Sequence, residues 1–127
     1  MSSSAIMTII KQKEAELQKL RVTKTQVSKV NNAVDCMTYK FQNAASLINE
    51  AGTIGGSPID NGATTVVAGD FKKLSSDTQA VLDEVNSSIS ALEGEIATLY
   101  AAYQAALARE REEAARAAAL ENNKGRR

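Results

Sequence analysis

Two kinds of residue in this chain have types that could do chemistry: the single cysteine, Cys36, and the adjacent carboxylates Asp83-Glu84 and Glu112-Glu113. A nucleophilic thiol needs a depressed pKa and a neighbouring base, and the chain has no His to serve as one. General acid–base work by two carboxylates needs both aimed into one concave site. Side chains adjacent on a helix point about 100° apart, so each pair reads as a solvated face. One cysteine allows no internal disulfide. Without His, the usual Cys/His metal sites are excluded for a single chain. The glycines around Gly52, Gly55, Gly56 and Gly62 match neither a dinucleotide fingerprint nor a P-loop. Two helices alone offer no pocket. The expectation is no enzyme, no cofactor and no metal, with Cys36 an incidental or structural thiol off the seam.

The elements that would position any site are more legible. From Leu82 the large apolar residues fall at Leu82, Val85, Ile89, Leu92, Ile96, Leu99 and Tyr103. Their steps alternate three and four, the period of a coiled-coil seam. A stripe without a polar interruption cannot stay in water, so something must cover it. The first half of the chain carries a matching ladder of Ile10, Leu17, Leu20, Val27, Val34, Phe41, Ala45 and Ile48, interrupted at seam positions by Lys13, Lys24, Asn31 and Thr38. Polar seam residues cost stability but fix register and partner, or else mark a splayed, solvated stretch. A flanking column of Ile9, Val30, Met37 and Ala44 widens the stripe.

The predicted fold class is all-α: a long antiparallel two-helix hairpin, coiled-coil-like, completed by a partner or by self-association. A single domain over residues 1–121 is expected, with helices over about 5–51 and 65–120 around a connector at 52–64. Ser3 or Ser4 can cap the first helix, and Gly52 can stop it. Asp60-Asn61-Gly62 is a turn signal. Asp70 or the capping box Ser76-Asp77-Thr78-Gln79 can start the second helix. Residues 122–127 should fray. The arms are alike in length, and if Ala51 and Gly69 flank the turn, paired residues have numbers that add to about 120, placing Ile10 near Glu110 and Phe41 near Gln79. The polar middle of the first arm then faces Leu82 to Ile96. Under that register the most apolar part of one arm meets the least apolar part of the other, and another chain must complete the packing.

Composition agrees with packing along lines. The chain has 43% hydrophobic residues but only 4% aromatic, and one Pro in 127 residues. Lone hairpins of this kind bury little surface per residue and are marginal without a partner. The net charge is zero but segregated. Residues 1–51 hold seven Lys/Arg against four Asp/Glu, residues 52–108 two against seven, and residues 109–127 six against four. The arms attract each other, and neither is basic enough to make nucleic acid the main partner. No run approaches the roughly 20 apolar residues of a membrane span. The N-terminus lacks the charged n-region of a signal peptide. A cytoplasmic protein is expected, with export by a route that needs no cleaved leader left open.

The Ile10…Leu17…Leu20…Val27 ladder, the middle Val67-Ala68-Gly69-Asp70-Phe71, and the Ile89…Leu92…Ile96…Leu99 ladder before an Ala/Glu/Arg tail together carry a resemblance. The chain resembles the small helical partners of type VII secretion, and in particular the LXG-associated α-helical proteins encoded beside LXG toxins in Firmicutes. Only Ala68-Gly69 stands where related secreted hairpins carry a Trp-Xaa-Gly turn. The aromatic residues Phe71, Tyr100 and Tyr103 are followed four positions on by Ser75, Gln104 and Leu107, not by an acid. The export signal is therefore this chain's or its partner's. The resemblance implies a targeting chaperone that lies along the helical N-terminal domain of an LXG toxin, with a second small helical protein as a further possible partner. An under-covered seam is what such a partner would bury, and the candidate interface is Val30, Met37, Phe41, Val81, Leu82, Val85, Ile89 and Leu92. The competing readings are a self-associating coiled coil that forms a homo-oligomeric four-helix bundle, and a membrane-surface or nucleic-acid binder using the basic first arm and Arg-rich tail.

Overall fold

The computed structural model describes residues 1–55 and 62–125. The connector's Pro58 and the Asp60-Asn61 turn signal lie outside them, as do Arg126 and Arg127. The fold is an all-α helical hairpin: α1 (Ser3–Gly55) and α2 (Gly62–Gly125) pack against each other, with no strand among the described residues. No helix is long and apolar enough to cross a membrane, among the described residues.

Both helices overrun the stops read from sequence. α1 passes Gly52 and reaches Gly55. α2 begins at Gly62, so Gly69, Asp70 and the Ser76-Asp77-Thr78-Gln79 capping box are interior to it. A start signature acts only where the backbone breaks, and no break occurs there. α2 runs on through Asn122 and Lys124 to Gly125. The first cap is Ser2, not Ser3 or Ser4: its Oγ accepts the Ala5 N–H at 3.1 Å and its carbonyl accepts the Ile6 N–H at 3.0 Å.

Packing divides the chain into two compact units, Met1–Leu20 with Ser88–Arg127, and Arg21–Ser87. In the first unit Ile6, Ile10 and Ala106 form a buried cluster against which Met7, Leu99 and Tyr103 pack. Leu17, Ile89, Leu92 and Ile96 are also buried. Polar ties flank this core. Ser3 donates its N–H and its hydroxyl to the Glu110 carboxylate at 2.9 and 2.6 Å. The Tyr100 hydroxyl donates to Glu14 at 2.7 Å, and Lys13 pairs with Glu95 at 3.2 Å. Lys13 thus stays at its seam position by reaching an acid on the other arm.

In the second unit the seam holds a polar layer. Asn31 donates to Gln79 at 3.1 Å and accepts from the Thr78 hydroxyl at 2.9 Å. Ser75 donates to Asp35 at 3.0 Å. Thr38 returns its hydroxyl to the Val34 carbonyl at 2.8 Å. Phe41 lies against Phe71 with ring centroids 5.2 Å apart. Asn31 is therefore hydrogen-bonded across the arms and not merely solvated.

These pairs correct the expected register. Ser3 with Glu110, Glu14 with Tyr100, Asn31 with Gln79 and Phe41 with Phe71 add to between 110 and 114, where a turn flanked by Ala51 and Gly69 predicted about 120. Ile10 accordingly packs in the cluster with Leu99 and Tyr103, not beside Glu110. The reason is chemical. Sliding the arms by this amount sets Asn31 against Thr78 and Gln79, so half-buried and exposed polar groups beside the seam find partners on the other arm. The predicted collision of a clean seam with a polar middle does not occur: Ile89, Leu92 and Ile96 are covered by the chain itself.

Candidate protein-docking surface

The two units bury their apolar side chains very unequally. Among the described residues, seven of the eight buried apolar residues belong to the first unit; the second contributes Val34 alone. Ten of the thirteen exposed large hydrophobic residues lie in the second unit. An exposed Val or Leu is unremarkable singly, and a contiguous row is not.

The exposed residues of the second unit are ordered. Val30 and Met37 on α1 are one heptad apart, as are Val67, Leu74 and Val81 on α2. That spacing holds each set in one column beside the seam. The columns meet on one flank: Val27, Val30 and Val81, with Gln26, Asp77 and Thr78, line an open groove of about 280 Å³. The register set by Asn31 and Phe41 places Met37 opposite Leu74, continuing the row. Val30, Met37, Leu74 and Val81 are each 45–53% exposed. The opposite flank is polar. Asn31, Asp35, Gln42, Lys72, Gln79 and Asp83 are among the residues lining a groove of about 880 Å³ there. Both grooves are open and beside the seam, a form that suits a helix better than an enclosed small molecule.

The eight candidate interface residues separate on this geometry. Val30 and Val81 line the apolar groove together. Met37 lies on the same flank by heptad spacing and is exposed. Phe41 is half-buried against Phe71, and Leu82 and Val85 are half-buried at the seam. Ile89 and Leu92 are buried in the first unit, which covers them with its own residues. Of the eight, Val30, Met37 and Val81 stand exposed. Leu74, which with Val81, Tyr100 and Leu107 the sequence already places off the seam as apolar surplus, is exposed on the same flank. Asp77 was read only as part of a capping box, yet it stands on the groove's rim.

The residues with reactive types are dispersed. Cys36 is exposed. Asp83 accepts a hydrogen bond from Gln79 at 3.0 Å, and Glu113 pairs with Arg109 at 3.9 Å. Among the described residues no group of three or more His, Cys, Asp or Glu could hold a metal ion. The perturbed titrations belong to the arm ties. The hydrogen bonds from Ser3 hold the Glu110 carboxyl below its ordinary value. The hydrogen bond donated to Glu14 raises the Tyr100 phenol. Both serve packing at the first unit, where a carboxylate near a helix N-terminus is favourable.

No family model, curated protein or solved structure matches the chain.

Proposed function

We propose that this chain is a non-enzymatic helix-binding protein. Its specific role in this reading is that of a targeting chaperone, which docks along the helical N-terminal domain of an LXG-type toxin and accompanies it to a type VII secretion machine. One observation carries the docking part. Among the described residues the second unit buries a single apolar side chain, Val34, while Val30, Met37, Leu74 and Val81 stand exposed on one flank. Covering each such side chain stabilises a complex by roughly 1–2 kcal/mol before the costs of association. The toxin part rests on the sequence ladders and the charged tail.

The surplus is not at the seam, whose apolar residues cover each other, but in the column beside it. A helix laid on that column would add a third strand of packing in the manner of an amphipathic helix in a groove.

Co-expression with the N-terminal domain of an LXG toxin encoded beside this chain's gene tests the reading. A complex should form and survive purification. Val81→Asp should weaken it by at least about tenfold while leaving the helical circular dichroism of the isolated chain unchanged, because Val81 is exposed there. A gene neighbourhood without such a toxin sinks the toxin part. A stable homo-oligomer of the isolated chain that dissociates on Val81→Asp favours self-association and sinks the docking of a foreign helix.

A further inference from the structure

The apolar column has edges of different charge, and these specify what can lie on it. On α2 the next column outward from Leu74 and Val81 holds Asp70, Asp77 and Glu84, all exposed. On α1 the corresponding column beside Val30 and Met37 holds Gln26, Ala33 and Lys40. Asp77 and Gln26 both line the groove, which fixes these columns as its two rims. Lys73 stands one column further from the groove. The α2 rim is thus an acidic line over two heptads, and the α1 rim is nearly neutral.

We infer, resting on the docking reading above, that the occupant of this groove is a single amphipathic helix whose α2-facing edge is basic. Such a helix would place its apolar positions at i, i+3, i+4 and i+7 over Val30, Met37, Leu74 and Val81. Its Lys or Arg side chains would lie over Asp70, Asp77 and Glu84. The edge acts by complementarity at the rim of an apolar contact, so it selects partner and orientation more than it adds affinity. A second copy of this chain fits less well. If its α1 lay over α2, three acids would meet Lys40 on the rim, with Lys29 one column further out; if its α2 did, acids would face acids.

The full-length chain can be titrated with two fluorescent synthetic helices of about four heptads that share one leucine seam. One carries Lys along a flank and the other carries Glu. The Lys-flanked helix should bind roughly tenfold more tightly at low salt, and the advantage should shrink at high salt. Asp77→Lys with Glu84→Lys should reverse the order, and Val81→Asp should abolish binding of both. Equal affinities, or no reversal, overturn the charged-edge inference while the docking reading stands. If neither helix binds, or both bind Val81→Asp as well as they bind the parent chain, the docking reading itself falls. The same outcome follows if the isolated chain is a dimer that closes the groove.

Discussion

Single residues in this chain divide into those that hold the arms together and those that wait on the flank. Ile10 is fully buried, whereas Met37 is half exposed. Ile10→Ala should therefore cost about 2–5 kcal/mol in urea denaturation. Met37→Ala should stay within about 0.5 kcal/mol of the parent. Equal effects would sink the assignment of Met37 to a free surface. Glu110 offers a pH signature. Its carboxyl is held below the ordinary value chiefly by the Ser3 hydroxyl and N–H. A lowered folded-state pKa contributes stability at pH values above the unfolded value, and that contribution is lost as pH falls through the folded one. Thermal melts from neutral to acid pH should show a smaller acid-side loss for Glu110→Gln than for the parent chain. Identical acid profiles would mean that the Ser3–Glu110 tie carries no stability. For Tyr100 the sign is opposite. Its phenol is raised by the bond to Glu14, so its contribution disappears only as alkaline pH removes the donated proton.

At the scale of elements, each helix is continuous through glycines that sequence rules would treat as weak points. Gly94 lies within α2, and nothing stands within 4 Å of where its Cβ would be. Ala there gains helix propensity without a clash. Gly94→Ala should raise stability by about 0.5–1 kcal/mol in a denaturation curve. A loss of stability instead would show that the position is crowded. The helices and their seams were legible because heptad spacing is a local property of the chain. Their inner ends lie a few residues beyond the expected 51 and 65, at Gly55 and Gly62, since Gly52 carries the right residue without the backbone break that gives it a role. Register was misplaced for a related reason. Counting from the turn rests on Ala51 and Gly69 flanking it, while α1 runs on to Gly55 and α2 starts at Gly62, with Asn31 paired to Thr78 and Gln79.

For the whole molecule, stability should be uneven. The first unit holds the Ile6, Ile10 and Ala106 cluster with its flanking hydrogen bonds. The second buries Val34 and pairs polar groups. Hydrogen exchange on the isolated chain should find amides of the first unit more protected than those of residues 21–50 and 65–87. Addition of a bound helix should then raise protection in the second unit most. Uniform protection in the free chain would contradict an under-covered second unit.

Helix, seam and the presence of an apolar excess follow from the order of residues along the chain, because amphipathic periodicity commits each arm to one buried face before any partner is met. Which residues the excess comprises was settled only in three dimensions. A slide of several residues between the arms exchanged a clash at the seam for a matched polar layer. It turned Ile89 and Leu92 from candidate contacts into core, and left Val30, Met37, Leu74 and Val81 as the uncovered row. Side-chain exposure depends on what stands opposite, and an offset between two rods is a cooperative choice among many pairings that no single stretch of sequence encodes.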